Sequence, residues 1–202
     1  MGWIIGLTGG VGCGKSTVVK VAQEHFHCLA ILTDDVSRQQ MEPGGEAYLA
    51  VTAEFGTGIL KEDKSVDRAA LAQLVFSDSE KLKKLNSLTH PLVTNYVMDA
   101  VKREREQDEY EFLLIETALL IEGGYDRFCD EVWYVYAPEA ERRERLKISR
   151  GYSDEKIDEL FARQQPEAEY RRVATAVIDN SNSVTTDMIF GQMREILEKK
   201  QK

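Results

Sequence analysis

Near its start the chain passes from a β-branched apolar segment, Ile4 to Thr8, through Gly9-Gly10-Val11-Gly12-Cys13-Gly14 and into Lys15-Ser16-Thr17. No other stretch constrains the fold as tightly. The pattern G-x-x-x-x-G-K-[ST] would arise by chance in roughly one chain in a hundred of this length. Glycines let backbone N–H groups curl around a phosphate, and the helix N-terminus that follows adds positive potential. Such a loop needs a strand before it and a helix behind it. The segment Ile4–Thr8 supplies the first, and Lys15–Phe26, with Val18, Val19, Ala22 and Phe26 on one face, supplies the second. Lys15 is expected to bridge the β- and γ-phosphates of a nucleotide, and the Ser16 hydroxyl to complete a Mg²⁺ shell. The bland alternative is a glycine-rich turn with a solvent-facing lysine.

Other apolar runs rich in β-branched and aromatic residues read as buried strands at Trp3–Thr8, Cys28–Leu32, Phe112–Glu116, Val132–Tyr136 and Ala176–Ile178. Helical patterns separate them at 46–55, 68–76, 80–85, from His90-Pro91 toward Arg105, at 139–149, 154–164 and 183–199. Pro91 suits a first helical position, so a helix start is expected there. Alternation of this kind predicts an α/β fold, a five-stranded parallel sheet with helices on both faces. About eighty residues separate the second strand from the third, far more than a usual crossover, which predicts a mostly helical insertion. A second excursion, from about Glu141 to Arg172, is rich in Arg and Glu.

The 202 residues suit one core carrying insertions, and 43% hydrophobic with 30% charged residues is a globular balance. The net charge of -9 opposes binding to nucleic acid or an anionic membrane, because phosphates repel it. No apolar run approaches the roughly 18 residues that span a bilayer, and a glycine loop occupies the place of a signal-peptide cleavage site. The expectation is a cytoplasmic protein with small-molecule partners. Cys13, Cys28 and Cys129 form no CxxC pair and suggest neither a disulfide framework nor a zinc site.

Ligands of parallel α/β sheets bind beyond the carboxyl ends of the strands. Two such ends carry acids: Thr33-Asp34-Asp35 after the second strand, and Glu116 closing the third. A carboxylate beside a γ-phosphate accepts the acceptor's proton or holds the metal through water. For Asp34 and Asp35 the competing reading is N-capping of a short helix, and for Glu116 a buried ion pair. The D-x-x-G and N/T-K-x-D patterns of a GTPase are absent.

These residues resemble the dephospho-coenzyme A kinase family along nearly the whole chain. The carrying segments are Ile5 to Thr17, Asp34 with Arg38 and Glu42-Pro43-Gly44, Leu88-Thr89-His90-Pro91-Leu92-Val93, Ala118-Leu119-Leu120-Ile121-Glu122, and Val177-Ile178-Asp179-Asn180-Ser181. The resemblance implies transfer of the ATP γ-phosphoryl group to the ribose 3'-hydroxyl of dephospho-coenzyme A, the last step of coenzyme A synthesis. It implies a single P-loop kinase domain over 1–202, with a helical acceptor-binding insertion at 36–108 and a mobile lid at 139–173. By carry-over Asp34 is the base, and Gly12, Cys13, Gly14, Lys15, Ser16 and Thr17 bind ATP. Asn180 lies near the adenine or is simply a turn former, and Thr8, Arg38, His90 and Glu116 join Asp34 on the acceptor side. Arg38 and Arg68 meet acceptor phosphates or form surface ion pairs, and His90 caps a helix or faces the acceptor.

The chain departs from the family pattern in three places. Leu32-Thr33-Asp34 lacks the first acid of D-A-D, Arg150 is displaced by one residue from the second arginine of R-L-x-x-R, and Ala118 replaces a proline. Among Arg142, Arg143, Arg145 and Arg150, one or two are expected to touch phosphate, Arg145 foremost, while the rest form a solvated face with Glu139, Glu141 and Glu144. Cys13, at a helix N-terminus near Lys15, is either an activated thiolate or an inert small residue. Two other functions compete: a kinase for another small hydroxyl, and an ATP-sensing module without chemistry.

Overall fold

Alternate residues of Trp3–Thr8 (β1) point to opposite faces of a sheet, yet Ile4, Ile5 and Leu7 are all buried. A strand apolar on both faces needs cover on both. The computed structural model describes residues 2–200. Its sheet has the order β2-β3-β1-β4-β5, formed by β1, β2 (Cys28–Leu32), β3 (Phe112–Glu116), β4 (Glu131–Tyr136) and β5 (Ala176–Asp179). Parallel register pairs Ile5 with Leu114 on one side of β1 and Leu7 with Trp133 on the other, while Val135 pairs with Ile178. The α/β architecture expected from strand-helix alternation is present.

The chain divides into two units. The first contains the residues up to Ala30 and those from Glu104 onward. Its helices are α1 (Lys15–His25), which buries Val18, Val19, Val21 and Ala22, followed after β4 by α6 (Glu139–Arg150), α7 (Asp154–Ala162), α8 (Glu167–Val173) and α9 (Thr186–Lys200). Phe112 packs its ring 5.6 Å from Phe26 and 6.0 Å from Trp133, centroid to centroid. At the start of β4, Asp130 accepts from the Ile4 N–H at 2.9 Å and pairs with Arg105 at 2.8 Å, satisfying polar groups at the end of the sheet away from the phosphate loop.

The second unit, Ile31–Arg103, holds α2 (Thr33–Gln40), α3 (Glu46–Phe55), α4 (Arg68–Phe76) and most of α5 (Ser79–Gln107). Val51, Ile59, Val66, Leu71 and Val75 form its core, with Leu82, Leu85 and Leu88 of α5 packed against them.

α5 corrects one expectation. Pro91 does not start a helix but lies inside one continuous helix of 29 residues, although an internal proline costs about 3 kcal/mol. The apolar positions keep helical spacing across it: Leu82, Leu85 and Leu88 before it, and Val93, Val97, Ala100 and Val101 buried after it. At about 1.5–3 kcal/mol for each large side chain fully removed from water, that continuous stripe outweighs the proline. His90 is therefore an exposed mid-helix residue and caps nothing.

Candidate active site

The phosphate loop leaves β1 at Thr8 and enters α1 through Gly14, whose φ of 86° and ψ of 37° are left-handed. Gly12 is also left-handed, with φ 81°, and a Cβ there would lie 2.9 Å from the Arg142 carbonyl oxygen. A side chain would be strained at both positions. No side chain caps α1. The Cys13 N–H donates to the Gly10 carbonyl at 3.2 Å and the Lys15 N–H faces the Cys13 sulfur, while the N–H groups of Gly12, Gly14 and Ser16 have no hydrogen-bond acceptor among the described residues. Together with the helix dipole, these open donors make an anion cradle. The Lys15 ammonium donates to the Gly9 carbonyl at 2.9 Å and lies 3.6 Å from a Glu116 carboxylate oxygen. The Ser16 side chain is exposed. The Thr8 hydroxyl is buried and finds no partner among the described residues, an unmet polar group at the carboxyl end of β1.

Two of the four arginines of α6 reach the loop. Arg142 donates from Nε to the Val11 carbonyl at 2.9 Å. Arg145 donates from Nη2 to the Asn180 carbonyl at 2.7 Å and to Asn182 Oδ1 at 2.8 Å, and from Nη1 to the Gly12 and Cys13 carbonyls at 3.5 and 3.4 Å. Asn180, buried after β5, donates its amide to the Cys13 carbonyl at 2.8 Å. Arg143 instead pairs with Glu139 and Asp158, and Arg150 is exposed near the Tyr152 ring. Asp179 accepts from the Ser181 N–H at 2.9 Å, which makes it a turn residue. Sequence reasoning missed Gln164 and Asn182, because neither belongs to a motif whose spacing carries chemistry.

In the second unit, Asp34 occupies the first turn of α2 with its side chain exposed. Its carboxylate caps nothing and makes no hydrogen bond or ion pair among the described residues. Asp35 is bound to Arg38 at 2.7 Å. Arg68 lines a cavity of about 520 Å³ with Met41, Glu42, Lys61 and Val66, and His90 lies on α5.

Burial decides between the two readings of Cys13 in favour of the inert one. The residue is 1% exposed, and loss of hydration pushes its thiol pKa upward despite the nearby Lys15 charge. The helix N-terminus therefore does not yield an activated thiolate here, because desolvation penalises the charged form more than the local field favours it. Tyr134 is pushed up to about 12, again chiefly by burial, with the Glu167 charge adding to it.

Residues 3–186 match the family model of dephospho-CoA kinase. The chain belongs to the dephospho-CoA kinase family. That family consists of kinases catalysing the final step of coenzyme A biosynthesis. The dephospho-CoA kinase of Carboxydothermus hydrogenoformans is 39% identical over 90% of this chain and 87% of its own. That of Aquifex aeolicus is 35% identical over 96% and 95%. A solved structure from Thermus thermophilus superposes with a TM-score of 0.79 at 28% identity, covering 100% of this chain and 98% of the other. Among the described residues of this dephospho-CoA kinase family member, no helix is long and apolar enough to cross a membrane.

Proposed function

We propose that the enzyme transfers the γ-phosphoryl group of ATP to the 3'-hydroxyl of the ribose of dephospho-coenzyme A. The observation that carries this reading is the set of open N–H groups at Gly12, Gly14 and Ser16 beside the Lys15 ammonium. Phosphoryl transfer is mostly positioning and charge stabilisation, and that set supplies both for a polyphosphate. On binding, Lys15 exchanges the Gly9 carbonyl for β- and γ-phosphate oxygens, and Gly12 to Thr17 surround the phosphates. Asp34, with no competing partner, accepts the proton of the attacking hydroxyl. Arg38 and Arg68 meet the acceptor's phosphates, and His90 and Thr8 contribute to the acceptor side.

The donor set fits Mg²⁺. Ser16 offers an exposed hydroxyl and Glu116 a carboxylate near Lys15, and Mg²⁺ takes few protein oxygens, filling its shell with phosphate and water. When bound, the ion would neutralise charge on the nucleotide's phosphates. Ser16 would hold it directly, and Glu116 would orient its water. The lid at 139–173 supplies Arg142 and Arg145, and Asn180 orders the loop on which ATP rests. Use of ATP and free thiols at Cys13, Cys28 and Cys129 support placement in the cytoplasm.

The test is ATP-dependent transfer with dephospho-coenzyme A beside a panel of nucleosides, nucleotides and sugars, with the product's phosphate located by NMR. Phosphate on the ribose 3'-oxygen is expected. Transfer to another acceptor, or tight ATP binding with no transfer, overturns the reading.

A further inference from the structure

Gln164 belongs to none of the family's quoted motifs and lies between α7 and α8. Its amide oxygen accepts from the Val11 N–H at 3.0 Å and from Arg142 Nη2 at 3.2 Å. Arg142 Nε in turn donates to the Val11 carbonyl at 2.9 Å. One neutral oxygen thus joins the backbone of the phosphate loop to a lid guanidinium. The Phe161 ring supports the same guanidinium, 4.4 Å from its centroid to Cζ. The group lies so close to Gly10 that a Cβ there would be 2.7 Å from Arg142 Cζ. Arg142 Nη1 makes no hydrogen bond among the described residues.

We infer that Gln164 is a positioning residue for phosphoryl transfer, holding Arg142 across Gly10 and Val11 so that its open Nη1 edge meets a transferring phosphoryl oxygen. The inference rests on the phosphoryl-transfer reading above. The neutrality of the amide matters to the mechanism. A carboxylate at this position would accept the same two hydrogen bonds, and more strongly. It would also neutralise the guanidinium and set a negative charge beside the ATP phosphates. An amide oxygen orients the cation and leaves its charge for the transition state.

That difference separates positioning from mere packing, because Gln164→Glu satisfies a structural role as well as glutamine does. The experiment compares wild type, Q164A, Q164E, R142A and the Q164A/R142A pair in steady-state transfer to dephospho-coenzyme A, with thermal melting of each protein. Q164A is expected to lose about tenfold in kcat, the scale of one hydrogen bond to a charged group, with KM for dephospho-coenzyme A within about twofold. Q164E should melt no lower than wild type yet show a kcat reduced by about tenfold or a raised KM for ATP. The double variant should be no slower than R142A, because Gln164 acts through that arginine. Wild-type kcat and KM for ATP in both Q164A and Q164E, or a double-variant loss equal to the product of the single losses, would overturn the assignment. Wild-type protein inactive on dephospho-coenzyme A overturns the functional reading instead, so the two failures are distinct.

Discussion

The Asn180 amide donates to the Cys13 carbonyl at 2.8 Å and approaches the Gly14 carbonyl at 3.5 Å, tying the end of β5 to the phosphate loop. Asn180 is 7% exposed, so water cannot replace it freely. Asn180→Ala removes the short amide bond to the Cys13 carbonyl, which keeps only the 3.4 Å contact from Arg145, and is expected to cost about 0.5–1.5 kcal/mol of stability. KM for ATP should rise more than KM for dephospho-coenzyme A, because the loop that loses its tie is the nucleotide's seat. Chemical denaturation and steady-state kinetics check both parts, and equal changes in the two KM values would refute the link to the loop.

Arg145 spreads one guanidinium over the Asn180 and loop carbonyls and the Asn182 side chain. Arg145→Ala should lower kcat by about a hundredfold or more, the scale of losing a preorganised charge stabiliser. Arg145→Lys should recover little of that loss, since one ammonium cannot reproduce a planar fork with several acceptors. Near-normal turnover in the lysine variant would reduce Arg145 to a simple charge.

Among the described residues the Asp34 carboxylate has no partner, as a proton acceptor requires. Asp34→Asn keeps the shape and removes the basicity. Its kcat is expected to drop by roughly a hundredfold to ten-thousandfold, with ATP affinity in a calorimetric titration unchanged. Retention of activity within about tenfold would assign proton removal elsewhere.

Alkaline pH should destabilise the fold through groups kept neutral by burial. The Cys129 thiol is pushed up from 9.0 to about 12, first by burial and then by Asp130 and Asp126. Cys28 rises to about 11 by burial and the Glu111 charge. In the window between 9 and those values, the unfolded chain has lost protons that the folded chain retains, so stability falls with rising pH. This contribution is complete below about pH 9 and gone near pH 12. Denaturation midpoints at about pH 8 and about pH 10.5 should differ less in Cys129→Ser than in wild type; identical differences would discount the thiol.

How much the linear chain discloses depends on how local the physics is. Gly9 to Ser16 discloses its task because a phosphate cradle consists of consecutive backbone N–H groups, and the residues that free them are neighbours in sequence. The strands were legible because burial on both faces demands unbroken apolar runs such as Phe112 to Ile115. The helix break expected at Pro91 failed for the same kind of reason. The cost of proline is a local property, whereas the stripe from Leu82 to Val101 is stabilised by side chains brought against it in space.

Gln164 lay beyond such reading, and for Asn180 and Arg142, which the sequence singled out, the partners did. A side-chain amide carries no spacing signal; its meaning comes from the acceptor or donor it meets, and those partners lie 153 residues away for Gln164 and 167 for Asn180. Cys13 shows the same division. A helix N-terminus is visible in the primary structure and argues for a thiolate, but desolvation depends on what surrounds the sulfur in three dimensions, and that reverses the sign. Thus the amino-acid order was enough for the phosphate loop, the parallel sheet and the family. Folding was needed to choose which arginines hold the loop, which amides hold the arginines and whether a thiol ionises, because each depends on distances between residues that are remote along the chain.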